Sequence, residues 1–74
     1  MVTSQRNQKR ANTGALAVTR YGANFPGQTT EENLTDLLAD LFHFTRETGR
    51  DLDEIFERAR MHFIAEMEED SDGN

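Results

Sequence analysis

A chain of 74 residues without cysteine lies near the lower size limit for a domain that folds alone. The lack of cysteine excludes a disulfide framework and a thiolate zinc site, so helix packing or self-association must support the small core. No apolar run approaches the roughly 18 residues needed to cross a bilayer, and the first twenty residues lack the apolar core of a secretory signal. We therefore expect a soluble cytoplasmic protein with no membrane contact.

The net charge of −6 is divided unevenly along the chain. Residues 1–30 contain four basic and no acidic residues, whereas residues 31–74 contain four arginines and fourteen acids, so the two parts carry +4 and −10. Such asymmetry is typical of an interaction tail. Residues 1–28 are also rich in Gln, Asn, Thr and Gly and have few apolar side chains to offset the entropy of ordering. We predict that residues 1–28 form a basic flexible arm, mobile over residues 1–12.

The stretch ALAVTRYGANF, residues 15–25, is the apolar part of this arm. Its apolar run is too short for periodicity to separate a strand from a helix. As a strand, Leu16 and Val18 would share one face, and as a helix, Val18 and Tyr21 would share one stripe. We predict a short helix or an extended anchor that packs against the rest of the chain. The Pro-Gly pair at residues 26–27 then marks a turn.

A first long helix is predicted over about residues 30–48. Thr29 and Glu32 have the spacing of a capping box, and Gly49 is suited to the left-handed residue that ends many helices. The apolar residues recur at intervals of three and four, as in a buried helical stripe. This stripe is too wide for a single partner helix to cover. It consists of Leu34, Leu37, Leu38, Leu41, Phe42 and Phe44.

A second helix is predicted over about residues 52–69. Asp51 and Glu54 offer another capping box two residues after Gly49, so the reversal between the helices is short and they should lie antiparallel. The fold prediction is therefore all-α: an antiparallel two-helix hairpin, preceded by the basic arm and oligomerising into a helical bundle. The acidic hairpin would occupy residues 29–70, and residues 71–74 would be a disordered tail.

Two groups of residues are predicted to make the interactions. The first forms the oligomer core, for which we expect a homo-oligomer, and the second lies in the basic arm. The core residues are Leu34, Leu38, Leu41, Phe42, Phe44, Phe56, Phe63 and Met67. The arm residues are Arg6, Lys9, Arg10 and Arg20.

Histidines and acids at helical spacing raise the question of a metal site. Asp40 and His43 are three residues apart, and His62 and Glu66 are four apart. Carboxylate metal sites in helical bundles repeat this pattern on facing helices, but Ala59 stands where the second acid would be needed. In an antiparallel hairpin the two histidines would also lie roughly 10 Å apart along the axis. We therefore predict half-buried histidines beside the core, no metal ligand and no cofactor.

The segment DLLADLFHFTRETGRDLDEIFERARMHF, residues 36–63, resembles uncharacterised helical proteins of phages and plasmids with a DLLADLxH…RMHF pattern. This resemblance implies a mobile-element origin, with a virion location if the protein is a phage structural component. Residues 34–67 also resemble the later helices of MazG-type all-α nucleotide pyrophosphohydrolases, which bind magnesium through carboxylate clusters. The chain departs from those motifs at Thr35 and Leu37, where acids would be required. No catalytic residue carries over, and we expect no enzyme.

Two functions of different classes remain open. A helix-turn-helix DNA reader is disfavoured, because residues 51–70 carry eight acids against two arginines and would repel phosphates. The first hypothesis is a helical module that binds a protein partner, in an assembly or as an acidic inhibitor or regulator that imitates the charge of DNA. The second is an accessory nucleic-acid-binding protein that uses the basic arm, with the hairpin as its dimerisation unit.

Overall fold

Three α-helices make up the architecture. The computed structural model describes residues 4–72, with side chains through residue 69. The helices are α1 (Gln5–Gly22), α2 (Thr30–Glu47) and α3 (Leu52–Asp72), and the described residues contain no strand. The all-α prediction is confirmed, but the two-helix hairpin is wrong because a third helix precedes it.

Helix α1 replaces the short helix or extended anchor that was expected. It begins much earlier, because the Ser4 hydroxyl accepts a hydrogen bond from the backbone N–H of Asn7 at 3.1 Å and caps the helix. An N-cap of this kind satisfies one of the free N–H groups of the first turn. Residues 5–12, predicted to be mobile, are thus part of a helix, whereas residues 1–3 lie outside the described part. The division of the chain into arm, hairpin and tail stays a prediction.

Helix α2 begins where the capping box predicts. The Thr29 hydroxyl accepts from the Glu32 N–H at 3.1 Å, and the Glu32 carboxylate accepts from the Thr29 N–H at 2.9 Å. These bonds stabilise the ionised carboxylate, so the pKa of Glu32 lies below its ordinary value. The start predicted for α2 is confirmed.

The turn between α2 and α3 is a Schellman motif followed directly by a new cap. Gly49 adopts a φ of 74°, as the left-handed stop requires. The N–H groups of Gly49 and Arg50 donate to the carbonyls of Arg46 and Thr45, both at 3.1 Å. The Asp51 carboxylate then accepts from the Glu54 N–H at 3.1 Å. Helix α3 starts at residue 52 as expected and extends to residue 72, three residues beyond the prediction.

The helices contact one another near their ends. The last turn of α1 approaches α2 so closely that a Cβ on Gly22 would lie 2.3 Å from the Asn33 side-chain nitrogen. The first turns of α1 contact the far end of α3, where the Asn7 side chain donates to the Glu66 carbonyl at 2.8 Å. A 3.2 Å ion pair between Arg10 and Glu66 lies beside it.

This arrangement is flat and open. The chain extends 40 × 32 × 14 Å, and its radius of gyration is 14.6 Å, whereas a compact domain of this length would have about 11 Å. Among the described residues no apolar side chain is buried, and Thr45 is the one buried residue. No helix of the described part is long and apolar enough to cross a membrane. The apolar stripes of the sequence therefore remain in contact with solvent in a single chain.

The cap of α2 can be tested by two substitutions of Thr29. Thr29→Ala removes the hydroxyl acceptor and should lower the free energy of unfolding by about 1 kcal/mol. Thr29→Ser keeps the acceptor and should stay close to the unsubstituted chain. Urea unfolding followed by circular dichroism at matched protein concentration measures both. Equal losses in the two variants would contradict the role of the capping box.

Candidate protein-interaction surface

An apolar groove opens between α2 and α3. The rings of Phe42 and Phe56 meet edge to face across it, with centroids 6.1 Å apart, a favourable geometry for aromatic pairs. The helices diverge from their turn, and the groove between them has a volume of about 390 Å³. Thr45 closes its narrow end, where the Thr45 hydroxyl donates to the Leu41 carbonyl at 2.8 Å. Leu38, Leu41, Leu52 and Ile55 line its sides.

The structure brings only some of the predicted core residues together. Leu38, Leu41, Phe42 and Phe56 line the α2–α3 groove. Leu34 lies elsewhere, in a separate cleft against Val18 and Gly22 of α1. Whether these residues contact a partner stays a prediction.

Three other predicted core residues line none of these clefts. Phe44, Phe63 and Met67 are 61%, 60% and 51% exposed. The predicted set is therefore an exposed apolar surface that spreads over two helices. Patches of this kind on a small protein mark interaction sites.

The basic residues of α1 share one face of the helix. At about 100° per residue, Arg6, Lys9, Arg10 and Arg20 fall within an arc of roughly 100°. Arg10 is engaged with α3, at 3.2 Å from Glu66 and 3.9 Å from Glu69. Within residues 4–69 the other three form no ion pair. Of the four predicted arm residues, Arg10 is therefore engaged within the chain.

A basic pocket at the α2–α3 turn was missed in the sequence. His43, Arg46 and Arg50 line a cleft of about 460 Å³ together with Phe42 and Leu52. No carboxylate is among the described residues that line it, although the chain is acidic. The spacing of His43 and Arg46 shows that they share a helix face, but the turn alone brings Arg50 to the same place. We call this cleft the basic pocket.

The histidines differ from the half-buried residues that were expected. Both His43 and His62 are exposed. Asp40, considered above as a companion of His43, instead accepts a hydrogen bond from the Tyr21 hydroxyl at 2.5 Å. Within the described part, no three His, Asp or Glu side chains are grouped so that they could hold a metal ion.

The bond to Asp40 links α1 to α2 and perturbs Tyr21. The carboxylate accepts the phenolic proton and repels the tyrosinate that would form on its loss. Together with the nearby Asp36, it raises the pKa of Tyr21 to about 12. The phenol is therefore a stable hydrogen-bond donor at neutral pH.

Comparison with known proteins gives no family for this chain: no family model, no curated protein and no solved structure matches it. The resemblances to phage and plasmid proteins and to MazG-type enzymes therefore stay predictions. The functional argument rests on the surface described above.

Tyr21 provides a direct probe of the α1–α2 contact, because it is the one tyrosine in a chain without tryptophan. Its absorbance at 295 nm should titrate near pH 12, and Asp40→Ala should move the midpoint toward 10. Since the folded pKa lies above the unfolded value, the stabilising effect is complete below pH 10 and is lost as the pH rises toward 12. A midpoint near 10 in the unsubstituted chain, with helical circular dichroism intact, would contradict the contact.

Proposed function

We propose that this chain is a small, non-enzymatic helical interaction module whose apolar surface is covered by a protein partner, in the first place by other copies of itself. The observation that carries the proposal is that the described part of the chain buries no apolar side chain. A domain of this size depends on burial for its stability. A partner that covers the α2–α3 groove would supply the missing burial.

The composition of the surface supports a protein partner. Phe42 and Phe56 lie in the groove, and Phe44 and Phe63 are exposed beyond it. Large aromatic side chains near the centre of an interface contribute most of the binding energy in many complexes. Here Phe42 and Phe56 line the groove between the two helices. Such a groove suits an apolar helix as its occupant.

Of the two roles considered for this module, membership in an assembly has more support than inhibition by imitation of DNA. A DNA mimic needs an array of uncompensated acids. In this chain Glu54 pairs with Arg58, and Glu57 with Arg60. Glu66 pairs with Arg10. These pairs dilute the acidic array on α3. The phage or plasmid origin implied by the resemblance is part of the proposal.

Two methionines on α3 form a matched test of the covered surface. Met67 and Met61 are 51% and 56% exposed, but they project about 120° apart around the helix, and Met61 lies outside the apolar stripe. Met67→Ala should weaken self-association by about tenfold, the effect of roughly 1.4 kcal/mol, and Phe63→Ala by at least as much. Met61→Ala should leave it within about twofold. Sedimentation equilibrium over a range of micromolar concentrations measures all three.

Two outcomes would contradict this proposal. A chain that stays monomeric at these concentrations while retaining its helical circular dichroism would show that no self-association supports the fold. Equal effects of Met67→Ala and Met61→Ala would show that the covered surface does not include the apolar stripe of α3.

A second candidate function is nucleic-acid binding by α1, and the common helix face of its basic residues favours it. Arg6, Lys9 and Arg20 could contact three phosphates, which predicts a slope of about −3 for log K against log salt. Replacing all three by Gln should abolish a mobility shift on mixed-sequence duplex DNA. The Arg6→Lys and Arg20→Lys double variant retains the charges and should still bind. A salt-independent shift, or no shift in 50 mM salt, would exclude this candidate.

A further inference from the structure

The apolar residues of α3 are arranged symmetrically about the middle of the helix. The midpoint lies between Ala59 and Arg60. Leu52 lies seven residues before Ala59, and Met67 lies seven residues after Arg60. Phe56 lies three residues before Ala59, and Phe63 lies three residues after Arg60. The four side chains fall within an arc of about 60° on the helix. Two copies of α3 in antiparallel orientation would therefore bring Leu52 against Met67 and Phe56 against Phe63, twice, around one two-fold axis.

One pair of opposite charges follows the same symmetry. Arg50 lies nine residues before Ala59, and Glu69 lies nine after Arg60. The antiparallel register thus places Glu69 of one copy opposite Arg50 at the turn of the other, while Glu68 and Glu66 come opposite Asp51 and Asp53. The basic pocket is located at that turn, where His43, Arg46 and Arg50 line a cleft without a carboxylate. A neighbouring cleft lined by Phe42, Leu52, Phe56 and the acidic Asp53 adjoins it, so the pocket is continuous with the apolar stripe.

The acidic end of α3 is a suitable ligand for this pocket. Residues 66–72 contain five acids and Met67, so this segment combines negative charge with an apolar side chain. The pocket offers the matching combination, because Phe42 and Leu52 lie beside the three basic groups.

We propose that two copies of this chain associate through antiparallel α3 helices, and that the basic pocket of each copy binds the acidic end of α3 of the other. This inference rests on the self-association proposed above and identifies its interface. A two-fold arrangement closes, because both copies use the same surface. The apolar stripes supply the affinity, and the two charged contacts at the ends select the antiparallel register.

A charge swap tests the pocket and its ligand together. The variants are Arg46→Glu with Arg50→Glu, and Glu68→Lys with Glu69→Lys, each in the full chain. Each alone places like charges at both ends of its dimer, and its dissociation constant should rise by about tenfold or more. Mixed in equal amounts they form a heterodimer whose two ends are both complementary. The mixture should associate within about threefold of the unsubstituted chain.

The second variant separates this proposal from a general effect of net charge. Glu68→Lys with Glu69→Lys replaces two negative charges by two positive ones and so changes the net charge from −6 to −2. Weaker repulsion between copies would then tighten association, whereas loss of the pocket contact weakens it. Glu69→Lys also removes the 3.9 Å pair of Arg10 with Glu69, whereas its 3.2 Å partner Glu66 is not substituted. Circular dichroism checks that both variants remain helical.

The outcomes distinguish this inference from the proposed function. If the unsubstituted chain is a folded monomer, both are wrong. If it self-associates but neither charge variant weakens the dimer, or the mixture fails to restore it, the antiparallel interface is wrong and self-association stands. If the arginine variant loses DNA binding while its dimer is unchanged, the pocket binds nucleic acid and the inference is overturned.

Discussion

The architecture depends on one constraint: three helices in a flat, open arrangement cannot enclose their own apolar side chains. The stripes of α2 and α3 come closest at the Phe42–Phe56 contact and then diverge, so the groove between them remains open to solvent. A single chain of this kind gains little hydrophobic stabilisation, because that stabilisation scales with the apolar area removed from water. In the proposed function, a partner surface supplies the burial that a single chain lacks.

Helix α1 holds the open frame at two places, and both contacts are polar. Near its end, Tyr21 donates to Asp40 of α2, and near its start, Asn7 and Arg10 contact Glu66 of α3. Exposed polar contacts contribute little free energy each, so they orient the helices more than they stabilise them. This division is consistent with the proposed interaction module, in which orientation comes from within the chain and burial would come from the partner.

The charge pattern fits the same view. The basic groups of the chain occupy the face of α1 and the pocket at the α2–α3 turn, apart from Arg58 and Arg60, which pair with acids of α3 itself. Acids concentrate toward the end of α3, where Arg10 neutralises part of them. The first turn of α3 is itself acidic, with Asp53 and Glu54, so in the proposed dimer the antiparallel register depends on the basic pocket and not on a polarity of the helix. Electrostatic selection of this kind sets the geometry of an interface more than its strength.

Local signals in the sequence determined the class of fold, both ends of α2 to within a residue, and the start of α3. Thr29 with Glu32, Gly49 and Asp51 act on backbone groups within a few residues, so their effects can be predicted without knowledge of the tertiary structure. The end of α3 was predicted three residues too early.

The length of helix α1 was underestimated because its Ser4 cap precedes a polar stretch with no apolar stripe. Its contact with Glu66 also spans 59 positions of the sequence. The basic pocket likewise exists only because the turn brings Arg50 beside His43 and Arg46. Composition and periodicity determined which side chains need burial. Tertiary structure alone decided that the chain leaves them exposed, because the divergence of the helices depends on contacts distant in sequence.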